Sequence, residues 1–271
     1  MSVAPTTALA RGRVSAGLRT SYLLQPVGGS QPSPTPTGTA TAVVKHLFLA
    51  EALASVGVTA GLDVGLAVPL HVYQTGIGLT GIGIGDELAQ TALGDPRLTF
   101  GYQFALPFAL RSYATGYLPL GDPTNFAGER SFRVELGTAA AWQLGDVELE
   151  ADLALRLRET STLTLTTWGP QLRLGLAAAY SLTEELFLTA ECTLAPTLTA
   201  QPPSPDPPSG YLLPAEVLSS LRYQSGSWTV AGLAGTGLPL SIPAGQSPGA
   251  GLRRGPTSPL LRLALEARHA F

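Results

Sequence analysis

Three carboxylates at every second position are the strongest candidates for chemistry in this 271-residue chain. Glu148, Glu150 and Asp152 would share one face of a β-strand, because side chains on a strand alternate between two faces. Such a set could hold Ca²⁺ or do acid–base work. Arginines on the neighbouring predicted strands favour a salt-bridged interior instead. We therefore predict neither a metal site nor a catalytic site here.

Histidine and cysteine offer few further candidates. His71 lies near a long predicted loop, where it could act as a general base, but a structural histidine is the favoured interpretation. His46 and His269 complete the set of three, and His269 lies at the opposite end of its strand from the long loops. Cys192 is the sole cysteine, so the chain forms no internal disulfide and no thiolate metal cluster.

One glycine motif matches the dinucleotide-binding fingerprint GxGxxG, from Gly76 to Gly81. That fingerprint requires a helix to begin within it. Glycines instead continue to Gly85, alternating with isoleucines, which is poor material for a helix. We interpret the motif as a loop and predict no cofactor.

Composition favours many short strands over helices. The chain contains 31 glycines and 23 prolines, and only 13% of its residues are charged although 45% are hydrophobic. Its net charge of −3 gives no basic surface for nucleic acid, so we expect no nucleic-acid partner. The uncharged run from Ala231 to Leu252 is interrupted by glycine and proline, which excludes a membrane-spanning helix there.

The last thirteen residues alternate between apolar and polar side chains to the chain end. Leu261, Leu263 and Leu265 fall on one face, and Arg262, Glu266 and Arg268 fall on the other. Such a strand separates an apolar medium from a wet one. A terminal Phe on an amphipathic last strand resembles the closing strand of bacterial outer-membrane β-barrels, where this segment is the assembly signal.

Eleven further segments show the same alternation. The twelve predicted strands lie near Arg13–Leu24, Ala42–Ala54, Val58–Val72, Arg97–Leu106, Ala109–Leu120, Ser131–Leu144, Val147–Arg158, Thr164–Ser181, Leu186–Pro196, Ala215–Gln224, Ser227–Thr236 and Pro259–Phe271. Short and long connections alternate strictly between them, as in outer-membrane barrels. We predict an all-β, transmembrane, antiparallel up-and-down β-barrel of about twelve strands over residues 13–271. Residues 1–12 would be a tail, interpreted as a signal remnant or an ordinary alanine-rich end.

Two turns test the register of this barrel. If Gly145-Asp146 is a type II′ turn, Leu144 pairs with Val147 and Glu135 opposes Arg156. The same exercise on Ser225-Gly226 places Tyr223 opposite Trp228. In both hairpins the apolar residues share one face.

The polar face of each strand defines a predicted lumen of mixed charge, and the apolar face should be lipid-facing. The predicted lumen-lining residues are Arg19, Asp63, Arg111, Arg133, Glu135, Glu148, Glu150, Asp152, Arg156, Arg158, Arg173, Glu191, Glu216, Arg222, Arg262, Glu266 and Arg268. Aromatic residues near the strand ends should form girdles at the two membrane interfaces. The predicted girdle residues are Tyr22, Tyr117, Trp142, Trp168, Tyr180, Tyr223, Trp228 and Phe271.

Two Gly-Asp-Pro motifs add a family resemblance. Gly94-Asp95-Pro96 is followed by Arg-Leu-Thr-Phe-Gly-Tyr, and Leu118-Pro119-Leu120 precedes Gly121-Asp122-Pro123. This pattern resembles the outer-membrane transporters of the phenol-degradation MetA-pathway family and is similar to the barrel part of OmpA-like proteins. The match covers about a quarter of the chain and departs from the family at Gln103. It implies an outer-membrane barrel with a transport role.

We carry three hypotheses for function. The first is a narrow passive channel or transporter for small solutes, located in the bacterial outer membrane and not an enzyme. The second is a structural or surface-recognition barrel with a closed lumen and functional outer loops. The third is an outer-membrane lipid hydrolase that uses His71. Expected partners are outer-membrane lipid, lipopolysaccharide and the barrel-assembly machinery, which would contact the C-terminal strand. The sequence leaves the oligomeric state open.

Overall fold

The chain folds as a closed barrel in the computed structural model, which describes residues 8–31, 39–80, 87–163, 166–199, 210–238, 241–243 and 259–271. Within these residues the long elements are all β-strands, and a 3-10 turn lies at Pro123–Asn125. No helix in the described part of the chain is long and apolar enough to cross a membrane.

Twelve long strands form the wall. They are β1 (Val14–Gln31), β2 (Thr39–Gly57), β3 (Leu62–Thr75), β4 (Arg97–Phe104), β5 (Ala109–Tyr117), β6 (Arg133–Leu144), β7 (Val147–Leu157), β8 (Gln171–Ser181), β9 (Leu186–Leu194), β10 (Ala215–Ser225), β11 (Trp228–Leu238) and β12 (Leu261–Ala270). Each pairs antiparallel with its chain neighbours, and β1 pairs with β12 to close the barrel. The predicted all-β barrel of twelve strands is confirmed.

Short turns cluster at one end of the barrel, called here the short-turn end, and long connections at the other, the long-loop end. The turn after β6 has the predicted form: Gly145 has a φ of 61°, and Leu144 pairs with Val147. Glu135 also opposes Arg156 as predicted. Positive φ at the first turn residue is what a type II′ turn requires, which explains the glycine there.

The register of the β10–β11 hairpin differs from the prediction by two residues. Ser225 pairs with Trp228, and Tyr223 pairs with Val230. The turn is therefore Gly226-Ser227, with the glycine at a φ of 57°. A shift of two residues keeps every side chain on its predicted face.

Three predicted boundaries were wrong. The predicted loop Gln25–Thr41 is largely strand, because a bulge after Leu24 lets β1 and β2 continue as a long hairpin. The predicted start of the third strand, at Val58, is a turn that leads into β3. The predicted eighth strand begins at Gln171 instead of Thr164, because Gly169-Pro170 interrupts it and proline has no N–H for the ladder.

The outer wall is apolar. Leu153, Leu176 and Leu265 are each more than half exposed on the outer face of their strands. A water-soluble protein rarely shows apolar surface of this extent, whereas a lipid-facing barrel requires it. Buried charged residues, among them Glu51, Asp63, Arg111 and Asp152, lie inside. The polar interior is therefore the place to look for function.

Candidate functional site

An elongated cavity of about 1440 Å³ occupies the barrel lumen. At the short-turn end it is lined by Ser15, Ser227 and Ala270, and at the long-loop end by Phe126 and Trp168. The lining thus reaches both ends of the barrel.

A cluster of ion pairs covers the wall formed by β5 to β8. Arg173 lies 2.7 Å from an Asp152 carboxylate oxygen and 3.3 Å from one of Glu135. The Tyr113 hydroxyl donates to Asp152 at 2.9 Å, and Arg156 lies 2.7 Å from Glu135. These contacts neutralise buried charges that would otherwise be expensive to hold inside a barrel.

A second cluster crosses the seam where the barrel closes. Arg19 on β1 lies 2.5 Å from Glu266 on β12 and 3.5 Å from Glu51 on β2. Arg97 on β4 also contacts Glu51, at 2.7 Å. A further pair, Arg262 with Glu216 at 3.2 Å, joins β12 to β10. Opposite charges therefore meet around the circumference of the lumen.

Two glycines let large side chains lie flat against the wall. The Arg111 guanidinium passes over Gly101, where an added Cβ would lie 2.0 Å from a guanidinium nitrogen. The Tyr113 ring lies over Gly137 in the same manner, with 2.4 Å to an added Cβ. Since glycine alone leaves this room, both side chains run along the wall and not across the bore.

The structure brings the predicted lumen residues onto one inner surface. Those that line the cavity directly are Arg19, Asp63, Arg111, Glu135, Arg156, Arg158, Arg173, Glu216, Arg222, Arg262, Glu266 and Arg268. Asp152 and Glu191 are buried in the wall, and Arg133 stacks on the Tyr117 ring with 3.8 Å between the guanidinium carbon and the ring centre. Glu148 and Glu150 lie in register with the small inward residues Ala179 and Ala177.

Two predicted girdle residues face the lumen instead of lipid. Tyr117 lines the cavity, because it shares the face of Arg111 on β5. Trp168 lines the cavity from a short hairpin, Ser161–Leu163 with Thr166–Trp168, which folds beside the barrel strands. Both were predicted as girdle residues because they lie close to the long loops in the sequence. That prediction was wrong about the face on which each side chain lies.

The remaining girdle candidates lie on the outer surface. Trp142, Tyr180, Tyr223, Trp228 and Phe271 are exposed close to the short-turn end. Tyr22 pairs in register with the exposed Phe48, and its hydroxyl lies 2.7 Å from His46 Nδ1. Contact of these rings with a membrane interface stays a prediction.

Among the lumen residues that the sequence did not predict, four belong to the ion-pair clusters. Glu51 was hidden because Leu49 and Leu53, on the same face, gave that strand no polar stripe. Arg97 and Tyr113 share the parity of predicted inward residues on their strands, so strict alternation would have found them. Glu129, which pairs with Arg133 and Arg158, lies in a loop where no periodicity applies.

The two Gly-Asp-Pro motifs meet at the long-loop end. The Asp95 carboxylate accepts the backbone N–H groups of Gly121, at 2.9 Å, and Glu129, at 2.8 Å. Asp122 donates its own N–H to the carbonyl of Leu93 at 3.0 Å. The two long connections, 76–96 and 118–132, are thereby tied together, a set of contacts called here the loop lock.

The loop lock extends into the barrel through the buried side-chain amide of Gln74. Gln74 donates to the carbonyls of Ala89, at 2.9 Å, and Asn125, at 3.0 Å. Phe126, the next residue, packs toward a cluster of Leu23, Val44 and Leu47. The loop after β5 therefore folds inward and covers part of the lumen at this end.

His71 is buried and hydrogen-bonds Gln74, with 3.1 Å between Nδ1 and the amide oxygen. This partner is an amide, whereas a nucleophile–base pair would need a nucleophilic group such as a hydroxyl or a thiol. Cys192 is half-buried on β9 and pairs in register with the outward-facing Val217 and Leu176. Among the described residues, no group of three or more His, Cys, Asp or Glu side chains could hold a metal ion.

Of the comparisons with known proteins, one supports the fold. No known family profile matches the chain, and no curated protein matches its sequence. An outer-membrane channel from Pseudomonas putida F1 matches at a TM-score of 0.66 with 12% identity, covering 97% of both chains. The translocator domain of autotransporter NalP from Neisseria meningitidis matches at 0.47 with 9% identity, covering 97% of this chain and 90% of that one. A FadL homologue from Pseudomonas aeruginosa matches at 0.43 with 11% identity, covering 95% and 90%.

The first of these matches shows that the chain shares its fold with a bacterial outer-membrane channel. The predicted barrel fold is confirmed, and its location in the bacterial outer membrane is a proposal. The resemblance to the MetA-pathway family stays a prediction.

Proposed function

We propose that this barrel is a narrow passive channel for small solutes. The observation that carries the proposal is the cavity of about 1440 Å³, whose lining residues reach both ends of the barrel. Solutes would cross without any chemical step, along a surface of charged and hydroxyl side chains.

The strand number supports a narrow bore. Barrels of eight strands are filled by side chains, and barrels of sixteen leave an aqueous channel, so twelve lies between them. The glycines under Arg111 and Tyr113 keep those two side chains against the wall. The inward-folded loop held by Asp95 narrows the long-loop end. The glycines thus leave the bore open, while the strand number and the inward-folded loop limit the size of the solutes that pass.

Charge in the lumen supports weak ion selectivity. Arginines pair with carboxylates around the wall, as Arg19 does with Glu266 and Arg156 with Glu135. Selective filters instead present rings of one sign of charge. The solutes we propose are therefore small and polar, with no strong preference for cations or anions.

The other two hypotheses have less support. A closed recognition barrel is disfavoured by the cavity, although the pairing of Gly210–Leu212 with Ser241–Pro243 does give the long loops some order of their own. A lipid hydrolase would need a hydroxyl beside His71, whose observed partner is Gln74.

We also propose the partners of this barrel. Lipid and lipopolysaccharide would surround the apolar outer wall, on which Leu176 and Leu265 are exposed. The barrel-assembly machinery would bind the C-terminal strand, β12, which closes the barrel against β1.

Liposome swelling tests the proposed channel. Liposomes containing the folded protein are diluted into isotonic solutions of a pentose, a disaccharide or a tetrasaccharide. We expect fast swelling in the pentose, slower swelling in the disaccharide and none in the tetrasaccharide, because the bore limits solute size. A protein that shows the heat-modifiable band of a folded barrel but no swelling in any sugar would overturn the proposal.

A further inference from the structure

A short stretch of chain ahead of β1 lies along one side of the lumen at the short-turn end. The Ala8 N–H donates to the side-chain oxygen of Gln103 at 2.8 Å, and the Leu9 N–H donates to Asp63 Oδ2 at 3.3 Å. Both acceptors occupy inward-facing positions at the short-turn ends of their strands, and Leu9 itself lines the lumen cavity. Residues 8–12 are called here the mouth segment.

Gly57, at the end of β2, leaves room for the mouth segment. An added Cβ on Gly57 would lie 2.1 Å from the Ala10 carbonyl oxygen, so a side chain there would collide with the backbone of the segment. Gly12 also donates its N–H to the Gly57 carbonyl at 2.8 Å. The close approach of the two backbones thus depends on glycine at position 57.

The acceptor on β3, the Asp63 carboxylate, is held in position by Arg111. Arg111 binds Asp63 Oδ1, and both side chains are almost fully buried. The second oxygen, Oδ2, is the one that receives the Leu9 N–H. Because backbone N–H groups removed from water need an acceptor, Asp63 and Gln103 provide a site that fits an extended backbone.

The mouth segment covers one side of the opening. It lies beside β2, β3 and β4, whereas Gln224, Ser227 and Ala270 line the same cavity from β10 to β12. The cavity is thus narrowed on one side at the short-turn end.

We propose that the mouth segment is a docked gate in the lumen, held by Asp63 and Gln103, and that its release raises the conductance of the channel. The conductance part rests on the proposed function. The docking part stands by itself, because it concerns only the hydrogen bonds from the backbone of the segment to Gln103 and Asp63.

Two pairs of matched variants in the full chain test the proposal. Gly57→Ala places a methyl group against the Ala10 carbonyl, and its control Gly232→Ala adds a methyl group with 3.6 Å to its nearest neighbour, which is ordinary contact. Gln103→Ala removes the acceptor for Ala8, and its control is Gln143→Ala, an exposed glutamine at the same end of the barrel.

Hydrogen–deuterium exchange of the peptide that covers residues 8–13 reports docking. We expect exchange on the order of tenfold slower in the wild type than in Gly57→Ala, since the amides of a docked segment exchange only while it is released. Gln103→Ala should also speed exchange, and both controls should match the wild type. Equal exchange in the wild type and Gly57→Ala would overturn the docking.

Single-channel recording of the same five proteins reports gating. We expect a higher main conductance in Gly57→Ala and Gln103→Ala than in the wild type and the two controls. Faster exchange without a change in conductance would overturn the gate. If the wild type conducts no current, the proposed function fails, while the exchange experiment still decides whether the segment docks.

Discussion

Three arginine side chains of the lumen are bound to the wall by more than one partner each, namely Arg19, Arg156 and Arg173. Arg173 contacts Asp152, Glu135 and the Tyr113 hydroxyl, and Asp152 also accepts from Tyr113. Removing one member of such a set leaves a buried charge without its counterion, which costs more than the pair itself contributes. The network therefore fixes where side chains stand in the bore.

Arg173→Ala should destabilise the barrel by about 3–5 kcal/mol, because Asp152 and Glu135 lose a shared counterion in a buried site. The measurement is reversible unfolding in denaturant from detergent micelles. Arg11→Ala, at an exposed arginine, is the control and should change little. If the two variants unfold at the same denaturant concentration, the network does not hold the wall.

A carboxylate outside the membrane-spanning strands gives a pH dependence. Hydrogen bonds from the side chains of Thr124 and Asn125 lower the pKa of Asp122 below its ordinary value of 3.8. Since the folded state has the lower pKa, the ionised carboxylate stabilises the loop above the ordinary value. That stabilisation is lost as the pH falls through the lowered pKa.

Protection of residues 118–132 should therefore fall at acidic pH more steeply in the wild type than in Asp122→Asn. The measurement is hydrogen–deuterium exchange, corrected for intrinsic rates, from about pH 6 to about pH 2. The asparagine variant cannot ionise and isolates this one group from the other carboxylates of the loop. Identical profiles for the two proteins would contradict the role of Asp122.

At the residue scale, alternation predicted most of the charged lumen residues and also shows why others escaped. Glu51 lies between leucines that also face inward, so its strand carries no visible polar stripe. Tyr117 shares the parity of Arg111, yet an aromatic near a loop suggested the membrane interface. Trp168 comes just before Gly169-Pro170, where the regular strand pairing is interrupted. Only the exception at Trp168 arises from a local interruption of the two-residue period. At Glu51 and Tyr117 the period holds, and the residue types around or at the position hide the inward face.

At the element scale, the loop lock joins two connections that the sequence shows only as repeated Gly-Asp-Pro motifs. Close packing of Gly121 and Gly128 around Asp95 explains the glycines, since an added Cβ on either would lie within 2.8 Å of that residue. The lock holds the inward-folded part of the loop in place.

Asp95→Ala should open this loop, because two backbone N–H groups lose their acceptor at a cost of about 1–3 kcal/mol each. Trypsin cleavage after the exposed Arg130 measures the opening, and we expect it to be faster in the variant than in the wild type. Asp146→Ala, in the short turn after β6, is the control. Unchanged cleavage after Arg130 would show that Asp95 does not hold the loop.

Strand number, order and most faces could be predicted from the sequence, because amphipathic strands joined by alternately short and long connections leave few other arrangements. The Gly145 turn even gave the register of its hairpin. The extra length of β1 and β2 could not be predicted, since it depends on a bulge at Gln25 with a φ of 51°. The inward fold of the loop after β5 depends on contacts between distant residues and leaves no periodic signal.

On the scale of the whole molecule, the barrel separates an apolar outer wall from a lumen of paired charges. The apolar outer wall fits a place in a membrane, and in the proposed channel the lumen would decide which solutes pass. If the lumen conducts, a large side chain placed in it should reduce the passage of ions. Ala231 lines the cavity on β11, and its neighbour Val230 is exposed on the outer face.

Single-channel conductance of a matched pair tests the channel most directly. Ala231→Trp places an indole in the lumen, and Val230→Trp places the same group on the outer wall. We expect stable current from the wild type, a clearly smaller current from Ala231→Trp and wild-type current from Val230→Trp. Absence of current in the folded wild type, or equal currents in the two variants, would contradict a conducting lumen.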